Sequence, residues 1–464
     1  MLRTMHKAVG AALLISAIAL ARPAVAERLV MTDPEVATAS REAVFHPPII
    51  SAAAIARLRA RGEPDVLPAL ALAIRYRGPD RDLLDAISAL AGETIRDWAD
   101  LMLWIEGHPE FLAHPSYRQI KLDLLQRVDP NFLRFLDDAR STAENMDIRL
   151  EEIVWGGVRV DGIPALESPA MIEAAAADYL LDDDLVFGIA INGDVRAYPL
   201  RILGWHEMFN DVIGGQPVAL AYCTLCGSAI LFETDVEGQE APLIFGSSGL
   251  LYRSNKLMFD RSTDSLWNQF TGKPVTGPLR GSGIELKIRP VVTSTWAEWR
   301  ARHPETTVLS LETGHSRDYG SGVVYNDYFK SPDLMFPARV ASERTARRKD
   351  FVFGVKTVGA ARAWPVAAFA ETPVINDRVG ARDLVLIGDA ASRSVRAYAR
   401  DGLTFRKTDR SNVLTDGTAE WRMTEDALIG PADARLARIA GRLGYWFAWS
   451  GYFGAESTLY GEDD

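Results

Sequence analysis

"VFGIAINGDVRAYP" at residues 186–199 returns as "VFGVKTVGAARAWP" at residues 352–365, with 7 of 14 positions identical. In the first stretch, apolar and polar residues alternate on both sides of Asn192-Gly193. That dipeptide accepts the positive φ values of a two-residue hairpin turn, so the stretch predicts two antiparallel strands. The alignment continues without a gap: Asn210-Asp211 falls on Asn376-Asp377, and Gly214 on Gly380. With small gaps, Trp267 meets Trp421 and "WAEW" at 296–299 meets "WFAW" at 446–449. A repeat of this kind predicts a β region built from two copies of one unit, 151–345 and 346–464.

Outward from the repeat, further strands are expected at 217–223, 228–234, 242–246, 249–254, 273–277 and 306–310. One helix interrupts them: Thr295 with Glu298 makes a capping-box pattern before "WAEWRARH". Strands do not alternate with long helices, which disfavours a doubly wound dinucleotide fold. Before the β region, residues 27–150 read as an α-helical domain punctuated by Gly and Pro. Ser51 is expected to cap "AAAIARLRAR", Thr94 with Asp97 to cap "IRDWADLMLWIE", and "NFLRFLDD" to form a last short helix. Stacking of these helices as an α-solenoid is expected. The fold class is therefore α+β and multidomain: a helical array, then a mainly antiparallel β region formed by internal duplication.

The first 26 residues resemble a processing segment. Arg3 and Lys7 precede the largely apolar run Ala8 to Leu20, and "ARPAVA" ends in a small-x-small site at Ala24 and Ala26. A signal peptide over 1–26 and export to the periplasm are expected. Thirteen residues are too few to span a bilayer, which takes about 20, and no later run is longer and as apolar. Cleavage removes Arg3, Lys7 and Arg22 and moves the formal charge from -11 to -14. Such an acidic chain without a Lys/Arg run is a poor partner for nucleic acid. Its partner is expected to be a small molecule or another protein.

The repeat also serves as a control within one molecule. Positions shared by both copies are turn residues and aromatic core candidates, which the fold itself demands. Cys223 and Cys226, the only cysteines among 464 residues, fall on Asp389 and Ser392. His206 falls on Thr372 and Glu207 on Pro373. The fold therefore does not require the thiols, and the first copy is the expected site. "PVALAY" and "SAILFET" flank the pair as strands, which puts Cys-Thr-Leu-Cys-Gly at a hairpin turn. Residues i and i+3 of such a turn lie within about 7 Å, a separation that suits a disulfide or two thiolates on one metal ion.

A thioredoxin-type site would need a helix after the first cysteine, and Gly227 with the strand beyond it argues against one. A Cys₄ site needs a second pair, which the chain lacks. "HEMFN" has no second histidine for a zincin motif, and no G-x-S-x-G elbow is present. Three readings of the site remain open. Cys223 and Cys226 are a redox-active or nucleophilic pair assisted by His206 and Glu207. Or Cys223, Cys226 and His206 bind Zn²⁺ or Cu⁺ with one open position. Or the pair is a static disulfide in a non-catalytic binding module. Tyr252, Asn255, Asp260, Arg261 and Trp267 in 245–278, with Tyr319 and Tyr325 in "RDYGSGVVYNDY", are ligand-pocket candidates, although turn chemistry explains many of them equally well.

"GWHEMFND", "YCTLCGSAILF", "FGSSGLLYRSNKLMFDRSTDSLW" and "HPETTVLS" together resemble a bacterial and archaeal family designated only as a domain of unknown function. The resemblance covers roughly residues 150 to 464 and excludes the helical region. It implies no activity. It does imply that Thr also occurs at the second cysteine position, which would give Cys223 more weight than the pair.

Overall fold

A computed structural model describes residues 28–454 and 456–462. The segment read as a signal peptide lies outside these residues. Six α-helices come first: Asp33–Phe45, Pro48–Arg61, Leu67–Arg77, Arg81–Ala91, Trp98–Gly107 and Ser116–Val128. Thr32 and Glu35 close a capping box on the first. Gly62 and Gly92 end the second and fourth in the left-handed conformation that only glycine takes without strain. The expected solenoid is not formed. The first helix packs on the sixth as well as on the second and third, and Arg41 reaches across to Asp123. Short connections and small residues such as Ala39, Ala43, Ala54 and Ala73 let the helices close around the apolar third helix.

Three local expectations also change. Pro47 precedes the second helix, which begins at Pro48, so Ser51 lies inside it and is buried. Asp97, not Thr94, caps the fifth helix by accepting the Asp100 amide. "NFLRFLDD" yields a 3₁₀ turn, Pro130–Arg134, because Pro130 opens it and Asp129 caps it after two residues.

The helical region is not a detached module. Tyr117, Phe132 and Phe135 share one core with Leu250, Leu257 and Phe259 of the β region. Lys121 is buried at the joint and donates to the carbonyls of Leu150 and Ile153. Burial pulls its ammonium down to about 7, since the charged form loses water there.

Mainly antiparallel sheets follow. The Asn192-Gly193 hairpin joins strands Leu185–Ile191 and Asp194–Pro199, with φ of 51° and 86° at the two turn residues. Val292–Thr295 pairs with its first strand and Thr307–Leu309 runs parallel to its second. Around the other stretch, Phe351–Thr357 and Ala360–Pro365 form a hairpin. There Arg442–Tyr445 pairs with the first strand and Ser457–Leu459 runs parallel to the second. Next in each case comes a three-strand meander: Met208–Ile213, Gln216–Cys223 and Ser228–Glu233 in one, Val374–Val379, Arg382–Asp389 and Ser394–Ala399 in the other. The strands expected at 242–246 and 249–254 are one strand, Phe245–Tyr252, which passes through Gly249 at φ 76°.

Side-chain contacts correspond as well. Arg196 binds Asp211 and Arg362 binds Asp377. Asn210 exchanges two hydrogen bonds with the Phe245 backbone, and Asn376 does the same with Phe405. Thr295 caps the helix Trp296–Arg302 as expected, and Trp299 from that helix lies flat on Gly188. Trp449, from Trp446–Phe453, lies on Gly354. A Cβ at either glycine would overlap the indole ring. Gly188→Ala and Gly354→Ala should each lower stability by about 1–3 kcal/mol, the cost of overpacking a filled core. Urea denaturation measures this, and an unchanged midpoint for either variant would disprove the close packing.

Candidate functional site

The expected hairpin carries the two cysteines. Cys223 pairs with Ser228 at the end of the ladder, the Cys226 amide donates to the Cys223 carbonyl at 3.1 Å, and Gly227 closes the turn at φ 60°. The β-turn thus places the two sulfurs side by side, 2.6 Å apart. Both are buried, with 2% and 0% exposure. The Cys226 sulfur also lies 3.3 Å from the Ser254 carbonyl and 3.2 Å from Asn255 Oδ1, either of which its S–H can reach. Burial, and then the contact with Cys223, push the Cys226 thiol well up. Tyr328 anchors the turn from outside, its hydroxyl donating to the Leu225 carbonyl at 2.6 Å.

Glu207 meets this turn. The short helix Leu200–His206 ends there, and Glu207 itself takes φ 56°. This left-handed conformation costs an L residue roughly 1–2 kcal/mol. The reversal separates its side chain from that of His206. The Glu207 carboxylate accepts a hydrogen bond from Thr224 Oγ1 at 2.8 Å, inside the cysteine turn. It also forms an ion pair with Lys256, and the two side chains are 7% and 5% exposed. Tyr325 OH points at the same carboxylate from 3.5 Å, and its phenol is pushed up chiefly by burial. Ser254 and Tyr325, both in contact with the site, also carry positive φ, at 59° and 55°. Strained non-glycine residues of this kind gather where a structure positions groups for a task.

The polar shell is incompletely paired. Ser228 Oγ, Ser254 Oγ, Asn255 Nδ2 and Gln269 Oε1 are buried without a partner among the described residues. All four belong to residues packed around the turn: Gln269 donates to the Ser228 carbonyl, and Ser254 and Asn255 flank Cys226. Buried polar atoms of this sort normally bond to water or to a small polar molecule.

His206 points elsewhere. Its Nδ1 faces the Pro164 carbonyl at 2.9 Å and must carry the proton, so Nε2 accepts from Tyr319 OH at 2.6 Å. His315 lies 5.1 Å away, ring to ring. Burial lowers the His206 pKa, against the Pro164 contact. Among the described residues, no three His, Cys, Asp or Glu side chains are grouped to hold a metal ion. The proposed Cys223, Cys226 and His206 ligand set has no support in this arrangement, since both imidazole nitrogens already have partners.

The pocket candidates divide in the same way. Asn255 and Tyr325 touch the cysteine–Glu207 cluster. Tyr319 belongs with His206. Asp260 accepts from Trp267 Nε1 at 2.9 Å and from the Thr263 amide at 2.7 Å, which is turn chemistry, and Asp416 with Trp421 repeats the indole bond. Arg261 binds Asp161 at the surface. Tyr252 packs with Tyr452 in another core. Sequence reasoning missed Lys256 and Thr224. The signal available for Lys256 was a lysine leading the apolar run Leu257–Phe259 in "NKLMFD", a residue type that is seldom fully buried unless paired.

Residues 160–456 match the family described as "Protein of unknown function (DUF3179)". No curated protein and no solved structure matches the chain.

Two outcomes are expected of the site. Lys256→Met strands Glu207 as an unpaired buried charge and should cost about 3–5 kcal/mol in chemical denaturation. Adding Glu207→Gln should recover much of that loss, and an additive double variant would refute the pairing. His206 has a folded pKa below its ordinary 6.5. Its contribution to stability is therefore present above pH 6.5 and falls away as pH drops through that value toward the folded pKa. His206→Gln should flatten this part of the stability–pH curve.

Proposed function

Because the chain belongs to the DUF3179 family, whose function is unknown, its chemistry has to be argued from its own site, and we propose that Cys223 and Cys226 form a reactive dithiol exchanging with small disulfides. One observation carries this reading: two adjacent sulfurs sit on a turn that is hydrogen-bonded to a buried Glu207–Lys256 pair. In the proposed sequence the Cys223 thiolate attacks one sulfur of a small organic disulfide and releases one thiolate. Cys226, the deeper thiol and the one held protonated, then attacks the Cys223 sulfur and releases the second. The protein ends as an intramolecular disulfide and the small disulfide as two thiols. The two protons pass from the protein thiols to the released thiolates. Glu207, paired with Lys256 and hydrogen-bonded to the turn through Thr224, is the proton relay in this proposal. His206 supports this reading only as a structural neighbour.

Burial of both sulfurs favours small reactants over protein disulfides. It equally favours a second reading, a static disulfide in a binding module. Zn²⁺ would need further protein ligands, and among the described residues no third His, Cys, Asp or Glu is grouped with the pair. We also infer that the two β units arose by duplication, with the first retaining the reactive turn. The corresponding strand orders, arginine–aspartate pairs and tryptophan-on-glycine contacts support that inference. Export through residues 1–26 is part of the same proposal, because oxidised small thiols persist outside the cytosol. Among the described residues no helix is long and apolar enough to cross a membrane.

The reading is tested with reduced protein and 2-hydroxyethyl disulfide, followed by mass spectrometry. The wild type should lose both thiols and release two equivalents of mercaptoethanol. Cys226→Ser should stop as a mixed disulfide on Cys223, and Glu207→Gln should slow the reaction by about tenfold or more. A pair that oxidises once and then resists dithiothreitol without unfolding would establish the static disulfide instead.

A further inference from the structure

A cleft of ≈ 360 Å³ lies where the two β units meet. Tyr222 and Gly227, which bracket the cysteine turn, line it from the first unit, and Phe351 and Tyr445 line it from the second. The contact is close: a Cβ at Gly227 would stand 2.8 Å from the Phe351 ring, and the Tyr445 amide donates to the Cys226 carbonyl at 2.8 Å. Neither sulfur lines the cleft.

Its charge runs against that of the chain. Acidic side chains outnumber basic ones by 62 to 51 overall, yet the cleft is lined by Lys349 and Arg393 and by no carboxylate. Lys349 is already engaged by the carbonyls of Tyr328 and Ser331. Arg393 is not. It has no hydrogen bond or ion pair among the described residues, and its guanidinium rests 4.5 Å from the centre of the Phe351 ring. Stacking of that kind holds the fork of donors in place without using them.

The backbone gives a second, independent sign. Arg393 sits in the turn that corresponds to the cysteine turn, at the position matching Gly227. The two have φ of 59° and 60°. Glycine takes this conformation freely and arginine does not. The second unit keeps a strained arginine where the first uses glycine, and the side chain lines the cleft between them.

We propose that this cleft binds a small organic anion, an oxyanion head on an apolar or aromatic body. Arg393 takes the head through paired N–H donors, and the rings of Tyr222, Phe351 and Tyr445 enclose the body. The proposal does not rest on thiol exchange, and the two can fail separately. Calorimetric titration of the purified protein with phenylacetate should give saturable one-site binding. The neutral isostere phenylacetamide should bind at least about tenfold more weakly, the usual size of a lost charge-assisted hydrogen bond. Arg393→Gly relieves the backbone strain, so it should fold at least as stably in urea while losing phenylacetate affinity to a similar degree. Arg393→Asn, which also tolerates this conformation, should behave alike. Equal binding of acid and amide, unchanged affinity in both variants, or no saturable binding of either phenylacetate or phenylphosphonate would overturn the proposal.

Discussion

The site depends on one buried ion pair. Glu207 and Lys256 come from a helix end and a central strand, and both are removed from water. Taking such charges out of water costs several kcal/mol each, which their attraction offsets only when geometry and further hydrogen bonds are good. Thr224 supplies one of those bonds from within the cysteine turn. Three segments far apart in sequence are therefore held together by one electrostatic requirement.

Around that pair, the two β units show what the fold demands and what it leaves free. The arginine–aspartate pairs, the asparagine clamps on a neighbouring strand and the tryptophans laid on glycine occur in both. Each either fills a volume or satisfies backbone groups that would otherwise be stranded. The cysteines, Glu207 and His206 occur in one alone: Asp389, Ser392, Pro373 and Thr372 stand at the corresponding positions of the other. That contrast is what the proposed dithiol chemistry of Cys223, Cys226 and Glu207 builds on.

Much of the architecture was legible in the sequence, because periodicity and turn chemistry are local. Asn192-Gly193 specified its hairpin, Thr295 its helix, and the flanks of Cys223 and Cys226 their turn. Boundaries failed where a competing local feature won: Pro47 and Pro48 displaced Ser51, and Asp97 displaced Thr94. The solenoid failed because the closure of the first helix on the sixth is a long-range packing choice that no local pattern records. Within the site, Cys223, Cys226, Glu207, Asn255 and Tyr325 were legible as residue types in dense stretches. The split between His206 and Glu207 was not, since it turns on one φ angle. Lys256 was invisible without knowing that its strand faces Glu207.

Gly227 and Arg393 occupy corresponding turns and line one cleft with nearly the same backbone angle. Two identical chains meeting across a twofold axis could not arrange this, since a substitution at one turn would appear at both. Joining both halves in a single polypeptide removes that restriction. One turn can become small enough to be covered by Phe351, while the other carries a charged arm stacked on that same ring. The asymmetry of the cleft is thus open to a single chain and closed to a symmetric dimer of one such turn.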